Sequence, residues 1–125
     1  MKVVMFHSGE ELPSFLEDNF KQFRLFNPTV PVYFLTDYNH LNNPVFLKYL
    51  VMPINKDEYW GTRVTEFESL FGRASDDFWT IAATRLIYIE NFMRLRGLTN
   101  VYHFENDVLI YYDLYQYHSY IKNNY

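Results

Sequence analysis

The sequence predicts an α/β fold, a mostly parallel sheet flanked by helices, and three observations predict it. Short unbroken apolar runs alternate along the chain with stretches of helical periodicity. The first strand, helix and strand fit within about 35 residues, the length of a βαβ unit, whose crossover makes its two strands parallel. A second long helical stretch feeds a further apolar run near residue 101. With 125 residues, the chain is expected to form one domain, residues 1–125, large enough for its own core.

Val3 to Phe6 is an apolar run closed by His7-Ser8-Gly9, as expected of a strand buried on both faces. Pro13 then stands where a helix can begin. Leu12, Phe15, Leu16, Phe20, Phe23 and Phe26 recur at steps of three and four until Asn27-Pro28 stops the pattern. Val30 to Leu35 reads as the second strand, ending in Thr36-Asp37 before a polar loop from Tyr38 to Pro44. In the run Val45 to Ile54 at least the second half reads as a strand. Asn55 to Gly61 reads as loop, and Val64, Phe67, Leu70 and Phe71 as one or two helical turns ended by Gly72. Ser75-Asp76-Asp77 offers a capping oxygen and negative charge to a long helix reaching about Arg96, with Gly97 as its stop. Phe78, Ala82, Leu86, Ile89 and Met93 form a stripe expected to face the sheet. Val101 to Phe104 follows as the fourth strand, and Leu114, Tyr117 and Ile121 begin a helix in the tyrosine-rich tail.

An aromatic content of 21% excludes a disordered chain. A net charge of −4 leaves no basic stripe for a phosphodiester backbone, so a nucleic-acid partner is not expected. The absence of cysteine removes disulfides and thiolate metal sites together. The first apolar run is too short for a signal peptide, and no stretch approaches the roughly 18 apolar residues of a membrane span. A soluble, cytoplasmic protein is therefore expected.

The residues with chemical potential gather around Tyr102-His103-Phe104-Glu105-Asn106-Asp107. Two carboxylates one residue apart, after an apolar strand, need a partner. On an extended backbone Glu105 and Asp107 would project to one side and reach a single cation. Open α/β sheets bind ligands outside the carboxyl ends of their strands, where these acids fall. A cation held there could neutralise a ligand diphosphate; acids merely solvated in a loop are the plainer alternative. Arg85 falls inside the apolar stripe between Ala82 and Ile89. Its guanidinium either crosses to the sheet edge to hold a phosphate, a sugar hydroxyl or a site carboxylate, or makes a structural ion pair or snorkels to solvent. Asp37, at the end of the second strand, could accept from a base or ribose, or simply cap its loop. Phe6, His7 and Ser8 end the first strand, where backbone groups can approach a nucleotide, but Gly9 alone makes no phosphate fingerprint. His7 and His103 lack the spacing of a zinc site. Trp79 reads as a stacking platform or as core.

With Val3-Val4-Met5-Phe6, Val32 to Asp37, the helix carrying Arg85 and Val101 to Asp107 in this order, the chain resembles the nucleotide-sugar-binding half of A-type-fold glycosyltransferases, a Rossmann-like family. The resemblance covers nearly the whole chain, and its specific part is the acid-x-Asp motif with the arginine-bearing helix before it. It implies that Glu105-Asn106-Asp107 takes the place of the D-x-D motif, which binds Mn²⁺ or Mg²⁺ and through it the diphosphate of an activated sugar. Asp107 would be the direct metal ligand. Glu105 would meet ribose, sugar or metal-bound water, Arg85 the donor or the acids, and Asp37 the base or ribose. The implied reaction moves a sugar from a nucleoside diphosphate donor to a hydroxyl acceptor, which could be a glycan, a protein or a small molecule. Members of the family continue past this motif into an acceptor site, whereas this sequence stops 18 residues after Asp107. The alternative expectation is thus a donor-binding or interaction module that needs a second chain, a homodimer included. A two-metal phosphohydrolase fits less well, because no further carboxylates or histidines cluster.

Overall fold

The residues of β1 (Lys2–Phe6) from Val3 onward are all at most 9% exposed, as an apolar strand covered on both faces must be. In the computed structural model, which describes residues 1–71 and 78–125, this strand lies inside a four-stranded sheet. Its companions are β2 (Val32–Thr36), β3 (Val51–Asn55) and β4 (Val101–His103), in the order β3-β2-β1-β4, with every pair parallel. Five helices connect them: α1 (Leu16–Phe26), α2 (Pro44–Lys48), α3 (Thr62–Phe71), α4 (Phe78–Arg96) and α5 (Leu114–Asn124).

The strand order explains which face each helix covers. The chain steps from β1 to β2 to β3 in one direction, then returns across the sheet to place β4 beyond β1. Right-handed crossovers put the helices of opposite steps on opposite faces. Leu16, Phe20 and Phe23 of α1 and Phe46 of α2 accordingly pack with Val3, Met5 and Phe34 on one face, joined by Leu114 of α5. On the other face Val64 of α3 and Tyr88, Ile89 and Phe92 of α4 pack with Val4, Phe6 and Leu35.

Several boundaries differ from expectation, each for a local reason. Helix α1 begins at Leu16, three residues past Pro13, whose carbonyl instead accepts from the Leu16 N–H to close a preceding turn. Phe15 and Phe26 are exposed, and the inward face takes Asn19 in addition to Leu16, Phe20 and Phe23. Strand β2 starts at Val32, because Pro31 has no N–H for a ladder, although its carbonyl accepts from Val3. The two segments expected to be loops contain 3-10 turns, Tyr38–His40 and Lys56–Tyr59. The second is opened by the Asn55 side chain accepting from the Asp57 N–H, and Asn43 caps α2 in the same way. Helix α3 runs to ten residues, longer than the one or two turns expected. The expected stop at Gly72 and cap at Ser75-Asp76-Asp77 lie outside the described residues, as do the side chains of Phe78 and Trp79.

The expected stripe on α4 is turned about its axis. Thr84, Tyr88, Ile89, Asn91 and Phe92 are buried, whereas Leu86 is 56% exposed. Tyr88, Ile89 and Phe92 pack in the core on this side, and the buried Asn91 is satisfied there because its amide donates to the Tyr59 carbonyl of the 3-10 turn at 3.0 Å. Gly61 makes room for it, since a Cβ there would stand 3.1 Å from the Asn91 amide nitrogen. At the helix end, Gly97 takes φ +62° and the Leu98 N–H returns to the Met93 carbonyl.

Candidate functional site

The reversal of strand order between β1 and β4 opens a crevice at the carboxyl edge of the sheet, where doubly wound folds bind ligands. A cavity of about 250 Å³ lies there, lined by Phe6, His7 and Ser8 from the end of β1, Arg85 from α4, and Glu105, Asn106 and Asp107 from the segment after β4.

Strand alternation delivers these side chains. Val101 packs on the α4 face, and Tyr102 and Phe104 on the α1 and α5 face. Glu105 continues on the α4 side, where its Oε1 accepts from Arg85 Nη2 at 2.5 Å. Arg85 shares the inward face of α4 with Tyr88, Ile89 and Phe92, and its Nε is buried without a hydrogen-bond partner. Beyond Phe104 the chain is no longer extended. The Val108 N–H donates to the Glu105 carbonyl, so Glu105 and Asp107 belong to a turn rather than to a strand, and a shared projection from an extended backbone is not what brings them together. They meet because Asn106 anchors the turn: its amide donates to the Phe6 carbonyl at 3.3 Å, and its own carbonyl accepts from Asn19 of α1. Asp107 is exposed and has no ion-pair partner among the described residues.

His103 stands behind the acids. Its Nδ1 donates to the Val4 carbonyl at 2.8 Å, leaving Nε2 buried and unpartnered. Burial lowers its pKa; the bond to Val4 opposes this, and Arg85 lowers it further. His7 is held at 2.8 Å by the Glu11 carbonyl, and burial is the main cause of its lowered pKa, with His40 contributing in the same direction. The rings of His7 and His40 are 5.9 Å apart, and His40 in turn donates to the Gly9 carbonyl.

Asp37 is not among the residues lining the crevice. One of its oxygens accepts from the Gly9 N–H at 2.7 Å and the other pairs with Lys56 at 3.2 Å, so it fastens the loop after β1 to the turn after β3. Lys56 is buried, which works against its charge, but Asp37 and Asp57 outweigh this and its pKa is raised. The short reach of sequence motifs hid Lys56, His40 and Asn19, because each acts on a residue far along the chain.

Among the described residues no three His, Cys, Asp or Glu side chains come together to hold a metal. Glu105 is already neutralised by Arg85, so among the described residues lining the crevice only Asp107 offers an uncommitted carboxylate. That suffices for a cation arriving with its own phosphates and waters, which needs one or two protein carboxylates, and not for a cation held by protein alone. No family model, curated protein or solved structure matches this chain. The fold and crevice define a class, parallel α/β proteins with a polar pocket at the point of strand reversal.

Proposed function

We propose that this crevice binds a nucleoside diphosphate sugar together with Mn²⁺ or Mg²⁺, and that the protein is a glycosyltransferase of the Rossmann-like, A-type class. The observation that carries the reading is the meeting of Arg85, Glu105, Asn106 and Asp107 with the end of β1 in one cavity at the strand reversal. Asp107 would hold the cation from the protein side, and the ion pair with Arg85 would keep Glu105 turned toward the ribose or sugar. The cation would supply Lewis-acid neutralisation of the departing diphosphate. The Phe6 carbonyl, bonded by Asn106, fixes the height of the turn above β1.

Calorimetry of the protein with nucleoside diphosphates and their sugars, with and without Mn²⁺, tests this. Binding strengthened at least tenfold by Mn²⁺ is expected, with Asp107→Asn removing the metal effect while the circular dichroism spectrum stays unchanged. Absence of binding under both conditions would sink the proposal. Binding without donor hydrolysis or transfer would favour the second reading, a donor-binding module that works with another chain.

A further inference from the structure

The sheet has two edges, and they are built differently. The β3 edge carries Pro53, which lacks an N–H and so blunts strand addition. β4 carries no proline and is only half-buried along its length. The Lys2 N–H donates to the Asn100 carbonyl at 3.1 Å, which sets the alternation along β4. Asn100 and Tyr102 turn their backbone groups toward β1, and the N–H and C=O of Val101 and His103 point away from it.

Grooves flank this edge on both faces of the sheet. One, of about 500 Å³, is lined by Leu86, Ile89, Met93 and Leu98 on the α4 side. The other, of about 370 Å³, is lined by Tyr102, His118 and Ile121 on the α5 side. A strand laid along β4 would drop successive side chains alternately into the two. Beside the amino end of β4 the rims are cationic, with Arg94 on the first groove near Gly97 and Thr99 and Lys122 on the second near Asn100. Glu90, which also lines the first groove, is paired with Arg63, and the exposed carboxylates of Glu105 and Asp107 follow the other end of β4. In a chain of net charge −4 this local sign is reversed, and a second copy would bring the same cations against it.

We propose that the β4 edge receives a fifth strand from a separate polypeptide, an extended segment of successive apolar residues with acids at the end that lies beside Asn100. Backbone bonds to Val101 and His103 give it affinity, the two grooves read its side chains, and Arg94 and Lys122 select its acidic end. This inference does not depend on the sugar-donor reading.

The test uses the 125-residue protein and two synthetic peptides, acetyl-Asp-Asp-Val-Ile-Val-Ser-Ser-amide and acetyl-Ser-Ser-Val-Ile-Val-Asp-Asp-amide, one for each strand direction, followed by calorimetry and amide hydrogen exchange. Saturable binding is expected, with new protection at the Val101 and His103 amides. Of two peptides N-methylated at adjacent apolar residues, one should lose binding and the other keep it, because alternate amides face β4. Arg94→Glu and Lys122→Glu should each weaken binding by roughly fivefold, and a peptide with lysine flanks should bind less well. Failure of both acid-ended peptides to bind, or equal binding by both methylated peptides, overturns the proposal. Sedimentation showing a dimer with Val101 and His103 already protected overturns it in favour of a second copy.

Discussion

Arg85 illustrates how a single charged side chain can be forced by its surroundings to act. Its neighbours on the inward face of α4 are Tyr88, Ile89 and Phe92, its Nε is buried, and at the partly exposed end of the guanidinium Glu105 supplies the counter-charge. His7 is constrained in a different sense. Its lowered pKa means that the folded protein resists protonation, whereas the unfolded chain takes up a proton near pH 6.5. The unfolded state then binds more protons, and stability is lost as pH falls from about 6.5 through the depressed folded value. His103 contributes in the same direction. Denaturation midpoints measured from about pH 7 down to pH 5 should therefore fall, and His7→Gln, which keeps a donor for the Glu11 carbonyl, should make the fall shallower. An unchanged slope would remove His7 from the account.

Helix α1 organises two segments far away in sequence. Arg24 donates to the carbonyls of Tyr49 and Leu50, which closes α2 and supports Leu50 at φ 55°. Asn27, only 1% exposed, donates to the Tyr112 carbonyl at 2.8 Å and accepts from the Leu114 N–H at 2.7 Å, tying the start of α5 to the end of α1. Asn27→Ala strips both partners in a buried place and should cost about 2–3 kcal/mol, measured by urea unfolding. A loss confined to a few tenths would mean that water replaces the amide. In the sequence Asn27 reads as a helix stop, which it is, but its second task depends on a partner 87 residues on. The same limit governs the rest. Strands β1 and β2 are legible because burial on both faces leaves an unbroken apolar run, and α4 is legible by length. Its orientation is not legible, since buried Thr84 and Asn91 break the apolar period and the carbonyl that compensates Asn91 lies in another element. The gathering of Arg85, Glu105 and Asp107 is readable from the place of the acids after an apolar strand and of Arg85 on the helix before it. The turn that holds the acids was not, because Asn19 and the Phe6 carbonyl, which fix it, carry no local signal.

For the whole molecule, the sheet is the shared wall of two separate apolar clusters. Phe34 meets Phe20 edge-on at 5.7 Å and Phe46 at 5.2 Å on one face; Phe92 meets Tyr33 at 5.2 Å and Tyr59 at 4.9 Å on the other. Both rings are fully buried. Because Val3 and Val4 are adjacent on β1 and face opposite clusters, neither side can open without unpairing the strands that support the other. Phe34→Ala and Phe92→Ala should each cost about 3–5 kcal/mol, a large part of the stability of a domain this size. Each should still give one transition, with circular dichroism and tryptophan fluorescence coincident. Of the two tryptophans, Trp60 follows the 3-10 turn that packs against α4 and Trp79 belongs to α4 itself, so fluorescence weights that face while circular dichroism averages both. If Phe92→Ala made fluorescence change at lower urea than circular dichroism, the α3 and α4 layer would be a separable unit. The crevice, whose Arg85 comes from that layer and whose acids come from beyond β4, would then lose the pairing of Arg85 with Glu105 before the sheet itself unfolds.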